Sequence, residues 1–394
     1  MNFKIKDLSV LEQDWLCPEI VDRMRQQKAL KILINRVKSG EKPSCAFIYG
    51  KVGSGKTFVV RRLIEDYLPI DGVDYVYINL KEISLPSVQA TLINILNALR
   101  KYFPIVALGK LWRDVPLRGW DSFLYIELLK GLLKQKGLHL ILVLDEIDRL
   151  YSYEKNDDFM YSLITQENIT PIFISNDMRL LDKLESRTRD RLSNIIFFSD
   201  YNMDDLYKIL QQHIKYAIEG EIDDRILYDI AKTVWEGSRS AREAKLLLAN
   251  YLKYGSLDEA IMETEKNALR QEIMALNQHQ FLVLKAIIKR HLDIDKMMKR
   301  PLKYSNIYPT SGSIYDEYVR LCKSLGVKPK TYKTFQRIIT SLELSALIRR
   351  VVTSLGRARG VTTLIYLGDD LNILKDITDK MQDEFVWLPQ KSEG

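Results

Sequence analysis

Cysteine is scarce in this chain: Cys17, Cys45 and Cys322 are the only three in 394 residues, and they lie far apart. That spacing supports neither a disulfide framework nor a paired-thiol zinc site, and isolated reduced thiols in an intracellular protein are the expectation. Long apolar runs are missing too. None approaches the roughly 20 residues that a membrane span needs, so no membrane partner is expected. The opening Met-Asn-Phe-Lys-Ile-Lys-Asp carries no secretory-type apolar stretch, which makes a cytoplasmic location the expectation. Internal repeats and low-complexity tracts are also lacking.

What remains is the composition of an ordinary globular protein, 46% hydrophobic and 28% charged, long enough for two or three domains. Its charge is unevenly placed. Between Lys285 and Gly360 there are 17 Lys or Arg against five Asp or Glu, a local net of +12 in a chain whose total is +7. The rest of the chain is therefore net acidic. A basic block of this kind is the footprint of a polyanion-binding module, with a merely solvated basic face as the alternative.

The most informative motif is Gly50-Lys51-Val52-Gly53-Ser54-Gly55-Lys56-Thr57, a complete phosphate-binding loop. The apolar run Cys45–Tyr49 predicts a strand before it, and Phe58-Val-Val-Arg-Arg-Leu-Ile has helical periodicity after it. Glycines let backbone N–H groups turn toward phosphate oxygens, and the new helix adds its positive end. Lys56 would reach the β- and γ-phosphates, and Thr57 would offer its hydroxyl to Mg²⁺. A nucleoside triphosphate is the implied ligand.

A partner for that loop follows about ninety residues later. The strand Leu138-His-Leu-Ile-Leu-Val-Leu ends in Asp145-Glu146. Asp145 would hold Mg²⁺, and Glu146 would orient and polarise an attacking water. The run Pro171-Ile-Phe-Ile-Ser ends in Asn176, which either senses the γ-phosphate from a neighbouring strand or simply caps a helix. Arg187, Arg189 and Arg191 cluster before another strand, where one could reach a neighbouring subunit's γ-phosphate. Arg239 and Arg242 stand at a helix start, from which an arginine could close on the nucleotide.

The chain divides by pattern into 1–201, 202–277 and 278–394. In the first, strands at Cys45–Tyr49, Tyr75–Leu80, Leu138–Asp145, Thr170–Ser175 and Asn194–Phe198 alternate with helices at Thr57–Tyr67, Ser87–Phe103 and Ser122–Lys136. That rhythm predicts an α/β fold with a parallel sheet. The second part has no strand pattern, with Asp204 as the expected cap of its first helix. The third has helices at Gln280–His291, Ser313–Leu325 and Thr331–Leu342, then β-runs Ile348–Ser354 and Val361–Leu367 around Gly356-Arg-Ala-Arg-Gly360. Two helices and a hairpin with a basic tip are the order of a winged helix-turn-helix.

In such a domain the second helix enters the major groove and the wing presses on the minor groove or backbone. Lys330, Thr331, Tyr332 and Lys333 start that helix, where side chains meet bases and phosphates. Phe335, Ile338, Ile339 and Leu342 keep core spacing. Gln336 and Arg337 either read bases or are solvated, and Arg357 and Arg359 occupy the hairpin tip.

The order of phosphate loop, Asp-Glu strand end, Asn176, arginine cluster and lid arginine resembles an AAA+ ATPase. More narrowly, the chain is similar to the archaeal Orc1/Cdc6 replication initiators over nearly its whole length. The resemblance rests on Tyr49–Thr57, Leu144-Asp-Glu-Ile-Asp148, Ser175-Asn176-Asp177, the lid motif near Arg242 and the Gly-Arg-Ala-Arg-Gly wing. It implies a fold of AAA+ domain, helical lid and winged helix, and a site for ATP/ADP and Mg²⁺ extending to Phe58. It places Ile20 and Val21 near the adenine, although the usual His-Arg-Glu-Glu is blurred to Asp22-Arg-Met-Arg25. It favours Arg187 over Arg191 as the finger, although Glu185-Ser-Arg187 replaces Asp-Pro-Arg. Arg242 is favoured over Arg239 as the lid sensor, where Arg239-Ser-Ala-Arg242 replaces Gly-Asp-Ala-Arg. It also implies a DNA-touching insertion at about 84–120, in which Arg113 and Arg118 would contact DNA. A loop that packs Trp112 and Trp120 is the equal alternative.

The function implied is an ATP-switched, nucleoid-associated initiator that binds double-stranded origin DNA. It would recruit an MCM-like replicative helicase and assemble with related initiator subunits, with slow ATP hydrolysis to ADP as a timer. The alternatives are an ATP-switched transcription regulator with the same wing and a clamp-loader-like ATPase.

Overall fold

The computed structural model describes residues 3–12, 14–41, 44–99, 121–298, 309–354 and 361–381. The chain forms two compact units, Met1–Ala260 and Ile261–Gly394.

The first unit is built on five parallel strands: β2 (Ala46–Gly50), β3 (Val73–Asn79), β4 (His139–Asp145), β5 (Ile169–Ser175) and β6 (Asn194–Phe198), in the spatial order β3-β4-β5-β2-β6. Strand period decides what each face carries. Leu140, Leu142 and Leu144 of β4 face one buried cluster, with helices Val88–Leu99 and Ser122–Lys136 against it. Ile141 and Val143 face the other, against helices Met24–Lys38 and Lys56–Tyr67. Helices on both faces make the central strands almost wholly apolar, as a parallel sheet requires. The order brings the ends of β2, β4 and β5 side by side, and it is there that the loops at Gly50, Asp145 and Ser175 leave the sheet.

Three helices complete this unit: Met203–Ala217, Asp224–Glu236 and Ala241–Tyr254. Asn202, not Asp204, caps the first of them, its side chain accepting from the Asp205 N–H at 2.8 Å. Asp204 lies one step further, in the first turn, where it favours the helix dipole instead. Sequence pattern also predicts no strand here. The structure has one: β7 (Ile218–Gly220) pairs antiparallel with β1 (Phe3–Ile5). Three residues are too few to display an alternation, which is why the pairing has no sequence signature.

The second unit packs Gln278–Met298, Ser311–Ser324, Tyr332–Leu344 and Leu371–Lys380 with the hairpin β8 (Ile348–Ser354) and β9 (Val361–Leu367). Phe281, Ile314, Tyr318, Phe335, Ile339 and Ile365 lie at its core. A single bridge from Thr310 to Leu364 adds a third, minimal edge to the hairpin.

Candidate functional site

The chain leaves β2 through a loop with two glycines in the left-handed region. Gly53 and Gly55 have φ of 79° and 88°, and a Cβ there would strike Ser240 Oγ at 1.9 Å and the Tyr201 hydroxyl at 2.3 Å. Both positions therefore need glycine for conformation and for space. Ser54 is buried, and its Oγ donates to the Lys51 carbonyl at 2.8 Å. Lys51 is exposed and pairs with Asp200 at 2.9 Å, and Val52 is exposed at the loop tip. Phe58 is half-buried and packs on the core that Ile141 and Val143 share with the helices Met24–Lys38 and Lys56–Tyr67.

Lys56 is only 5% exposed, and its ammonium donates to the carbonyls of Gly50 and Lys51 at 2.8 and 2.7 Å. Burial pulls its pKa down to about 8, against the opposing pull of Asp145, Asp148 and Glu146. A buried cation held by the loop's own carbonyls suits an anionic phosphate chain. Thr57 Oγ1 donates to Asp145 Oδ2 at 2.6 Å. A hydroxyl and a carboxylate oxygen converging on one point are the hard donors that Mg²⁺ takes, so the residues present fit that ion.

Glu146 follows Asp145 in the left-handed region, at φ 56° and ψ 44°, and its N–H donates to Asp145 Oδ1 at 2.8 Å. A non-glycine residue here is strained, and the strain turns Glu146 out of the strand line. Burial raises its carboxyl pKa; Lys81 opposes that, and Asp145 and Asp148 add to it.

Asn176 leaves β5, which lies between β4 and β2, and its N–H donates to Asp148 Oδ1 at 2.9 Å. The next helix, Leu180–Lys183, has Arg179 at its cap position, so Asn176 does not cap it. Arg187 is half-exposed, ion-paired to Asp158 and to Glu185 (2.8 Å). Its guanidinium lies 5.1 Å from the Tyr161 ring centroid, and Arg191 lies 5.3 Å from the same ring. Arg239 folds back on the preceding helix, Asp224–Glu236, donating to the Trp235 carbonyl at 3.2 Å, whereas Arg242 is exposed in the first turn of Ala241–Tyr254. That helix begins against the phosphate loop: the Ala241 N–H donates to the Gly53 carbonyl at 3.2 Å. Ile20 and Val21 are half-buried, and Ile20 packs on the same core as Phe58.

In the second unit Thr331 caps the helix Tyr332–Leu344, accepting from the Thr334 N–H. Lys330, Thr331, Lys333 and Arg337 are exposed and Gln336 is half-buried; of these, Lys333 and Arg337 lie on the side opposite Phe335, Ile338, Ile339 and Leu342. Tyr332 is 45% exposed, but its ring stacks on Phe335 and meets Tyr315 edge-on, both within 6 Å. The helix start is fixed from below: the Lys330 N–H donates to Tyr318 at 2.9 Å and its carbonyl accepts from Tyr315 at 3.1 Å. Arg357 and Arg359 of the wing, and Arg113 and Arg118 of the expected insertion, lie outside the described residues.

A family model described as an ATPase domain predominantly from Archaea matches residues 21–170. Another, the Cdc6 C-terminal winged helix domain, matches residues 271–377. An ORC1-type DNA replication protein 3 of Sulfurisphaera tokodaii is 30% identical over 358 residues, 88% of this chain and 86% of its own. The chain belongs to the family of ORC1-type DNA replication proteins. Among solved structures, the Aeropyrum pernix ORC1 protein in complex with DNA is similar at a TM-score of 0.75 and 23% identity, covering 97% of this chain and 98% of that one. The Aeropyrum pernix ORC2 protein, in ADPNP–ADP complexes, is similar at 0.57 and 18%, covering 98% and 99%. These two likenesses concern the fold: an AAA+ sheet domain with a helical lid, and a C-terminal winged helix.

Two residues of this ORC1-type chain escaped sequence reasoning. The Tyr77 hydroxyl donates to Asp145 Oδ2 at 2.9 Å, beside Thr57, because β3 and β4 pair in a register that sets Asn79 opposite Asp145. Arg23 is 3% exposed and donates to the Ser54 carbonyl at 3.1 Å. A complete His-Arg-Glu-Glu motif would have been the signal for it, and here that motif is blurred.

Proposed function

We propose that this protein is an ATP-switched replication initiator, which binds double-stranded origin DNA and helps to recruit the replicative helicase. The observation that supports this reading is the buried Lys56 beside the Thr57–Asp145 pair in one unit of a chain whose other unit exposes Lys330, Lys333 and Arg337 at and just beyond one helix start.

Lys56 and the N–H groups of residues 53–57 would hold the phosphates, and Thr57 and Asp145 would hold Mg²⁺. When bound, the ion would supply charge neutralisation on the phosphate oxygens. Glu146, with its pKa raised by burial, accepts a proton more readily than a solvated carboxylate, and it would orient and deprotonate the attacking water. Asn176 would report on the γ-phosphate beside it. Arg187 would act on a neighbouring subunit's nucleotide, leaving Asp158 and Glu185 to do so, and Arg242 would act from the lid. A finger supplied in trans would make turnover depend on assembly, which suits a timer.

Lys330, Thr331, Lys333, Gln336 and Arg337 would meet the DNA, the cations on phosphates and Gln336 or Arg337 on base edges. Genome-wide footprinting with co-purification tests the reading. Sites at origins and association with the helicase are expected. Promoter sites without the helicase would replace it with an ATP-switched transcription regulator. ATPase stimulation by a sliding clamp, without sequence-preferring DNA binding, would point to a clamp-loader-like enzyme.

A further inference from the structure

Arg23 is a buried cation with an unusual set of partners. Its Nη2 donates to the carbonyls of Ser54 at 3.1 Å and Ser199 at 2.8 Å, and its Nη1 donates to Ser199 Oγ at 3.3 Å. The guanidinium stacks 3.9 Å from the Tyr201 ring centroid and lies 5.6 Å from that of Phe198. Its Nε is buried without a hydrogen-bond partner, and among the described residues no carboxylate comes within ion-pairing distance. Packing alone would not select this group, since an apolar side chain of similar volume avoids the desolvation cost.

What the guanidinium provides is a three-way connection. Ser54 belongs to the phosphate loop, Ser199 and Tyr201 are the exit from β6, and the first lid helix begins two residues after Tyr201, at Met203. A trans peptide unit points its carbonyl and the next N–H in opposite senses. Holding the Ser54 carbonyl therefore turns the Gly55 N–H away from Arg23. Tyr201 closes the same spot from the lid side, since its hydroxyl would meet a Cβ on Gly55 at 2.3 Å. Asp22 and Arg23 both lie in the left-handed region, at φ 56° and 64°, and this strained pair delivers the guanidinium under the loop directly after Ile20 and Val21.

We propose that Arg23 is a positioning residue that couples the shape of the phosphate loop to the entry of the lid. Ordering of the loop by nucleotide and ordering of the lid are then one event. The proposal rests on the ATP-binding reading and deepens it.

Amide hydrogen exchange of the full chain, with and without Mg²⁺-ATP, tests it alongside nucleotide affinity. In the unsubstituted chain ATP should slow exchange in both the loop (Gly50–Thr57) and the helix Met203–Ala217. In Arg23→Gln the loop should still respond, the lid helix should not, and ATP affinity should fall about tenfold. Arg23→Lys keeps the charge but loses the planar stack and the forked donors, so it should show the same uncoupling in a fold nearer to the original. Joint protection of loop and lid in Arg23→Lys, at unchanged affinity, would overturn the proposal. No ATP response in the unsubstituted chain would overturn the ATP-binding reading, and the Arg23 proposal with it.

Discussion

The two units set out the charges proposed to do their work in opposite ways. In the first, the working charges are buried and individually held: Lys56, Arg23 and Asp145 are all at or below 5% exposure, each in contact with named oxygens or donors. In the second, Lys330, Lys333 and Arg337 stand in solvent, and burial is left to Phe335, Ile338, Ile339 and Leu342 beneath them. Buried charges act through geometry, so a single loss is costly and local. Exposed charges act through summed attraction to a polyanion, so single losses are small and the sum is salt-sensitive. A switch needs the first kind of chemistry and a DNA reader the second.

Substitutions can break this contrast, and the largest effect is expected at Glu146. Glu146→Gln should bind ATP normally but hydrolyse it about 10²–10⁴-fold more slowly in single-turnover assays. Lys56→Ala should weaken ATP binding on the order of a hundredfold or more by equilibrium titration, since it strips the phosphates of their buried cation. A pH effect is next. The free-state Lys56 pKa is lowered to about 8, and phosphates favour its charged form, so binding takes up a proton above that value. ATP affinity should therefore be level below pH 8 and fall by about tenfold per unit above it, with Lys56→Arg removing the break. The smallest effects belong to the winged helix. Lys330→Ala, Lys333→Ala and Arg337→Ala should each weaken DNA binding only a few-fold and shrink the log–log salt slope by about one. Should one of them abolish binding at every salt concentration, the additive picture fails for that residue.

Contiguous chemistry was legible in the sequence. The phosphate loop, the Asp145-Glu146 strand end and the basic helix start each occupy one short stretch, so residue order alone displays them. The five strands of the sheet were legible for the same reason, each being a bounded apolar run. What escaped depends on contacts across the fold. Tyr77 meets Asp145 only because β3 pairs with β4, and nothing in Tyr75–Leu80 marks it. Arg23 reads as one more charge at a helix start until the left-handed turn at Asp22 carries it under Ser54. The β1–β7 pair joins segments more than two hundred residues apart through three residues each. Asn202 displaced Asp204 as a cap because Asn and Asp serve that role about equally, and the tertiary path of the chain decided between them.

We propose that a nucleotide switch and an electrostatic DNA reader coexist in one chain with separable chemistry. The most direct test is duplex-DNA affinity measured across a salt series for the unsubstituted chain and for Lys56→Ala. Two steep, nearly parallel lines are expected, with most of the DNA affinity surviving the loss of ATP binding. A flat salt dependence, or a Lys56→Ala line that falls far below the other at every salt concentration, would contradict the account.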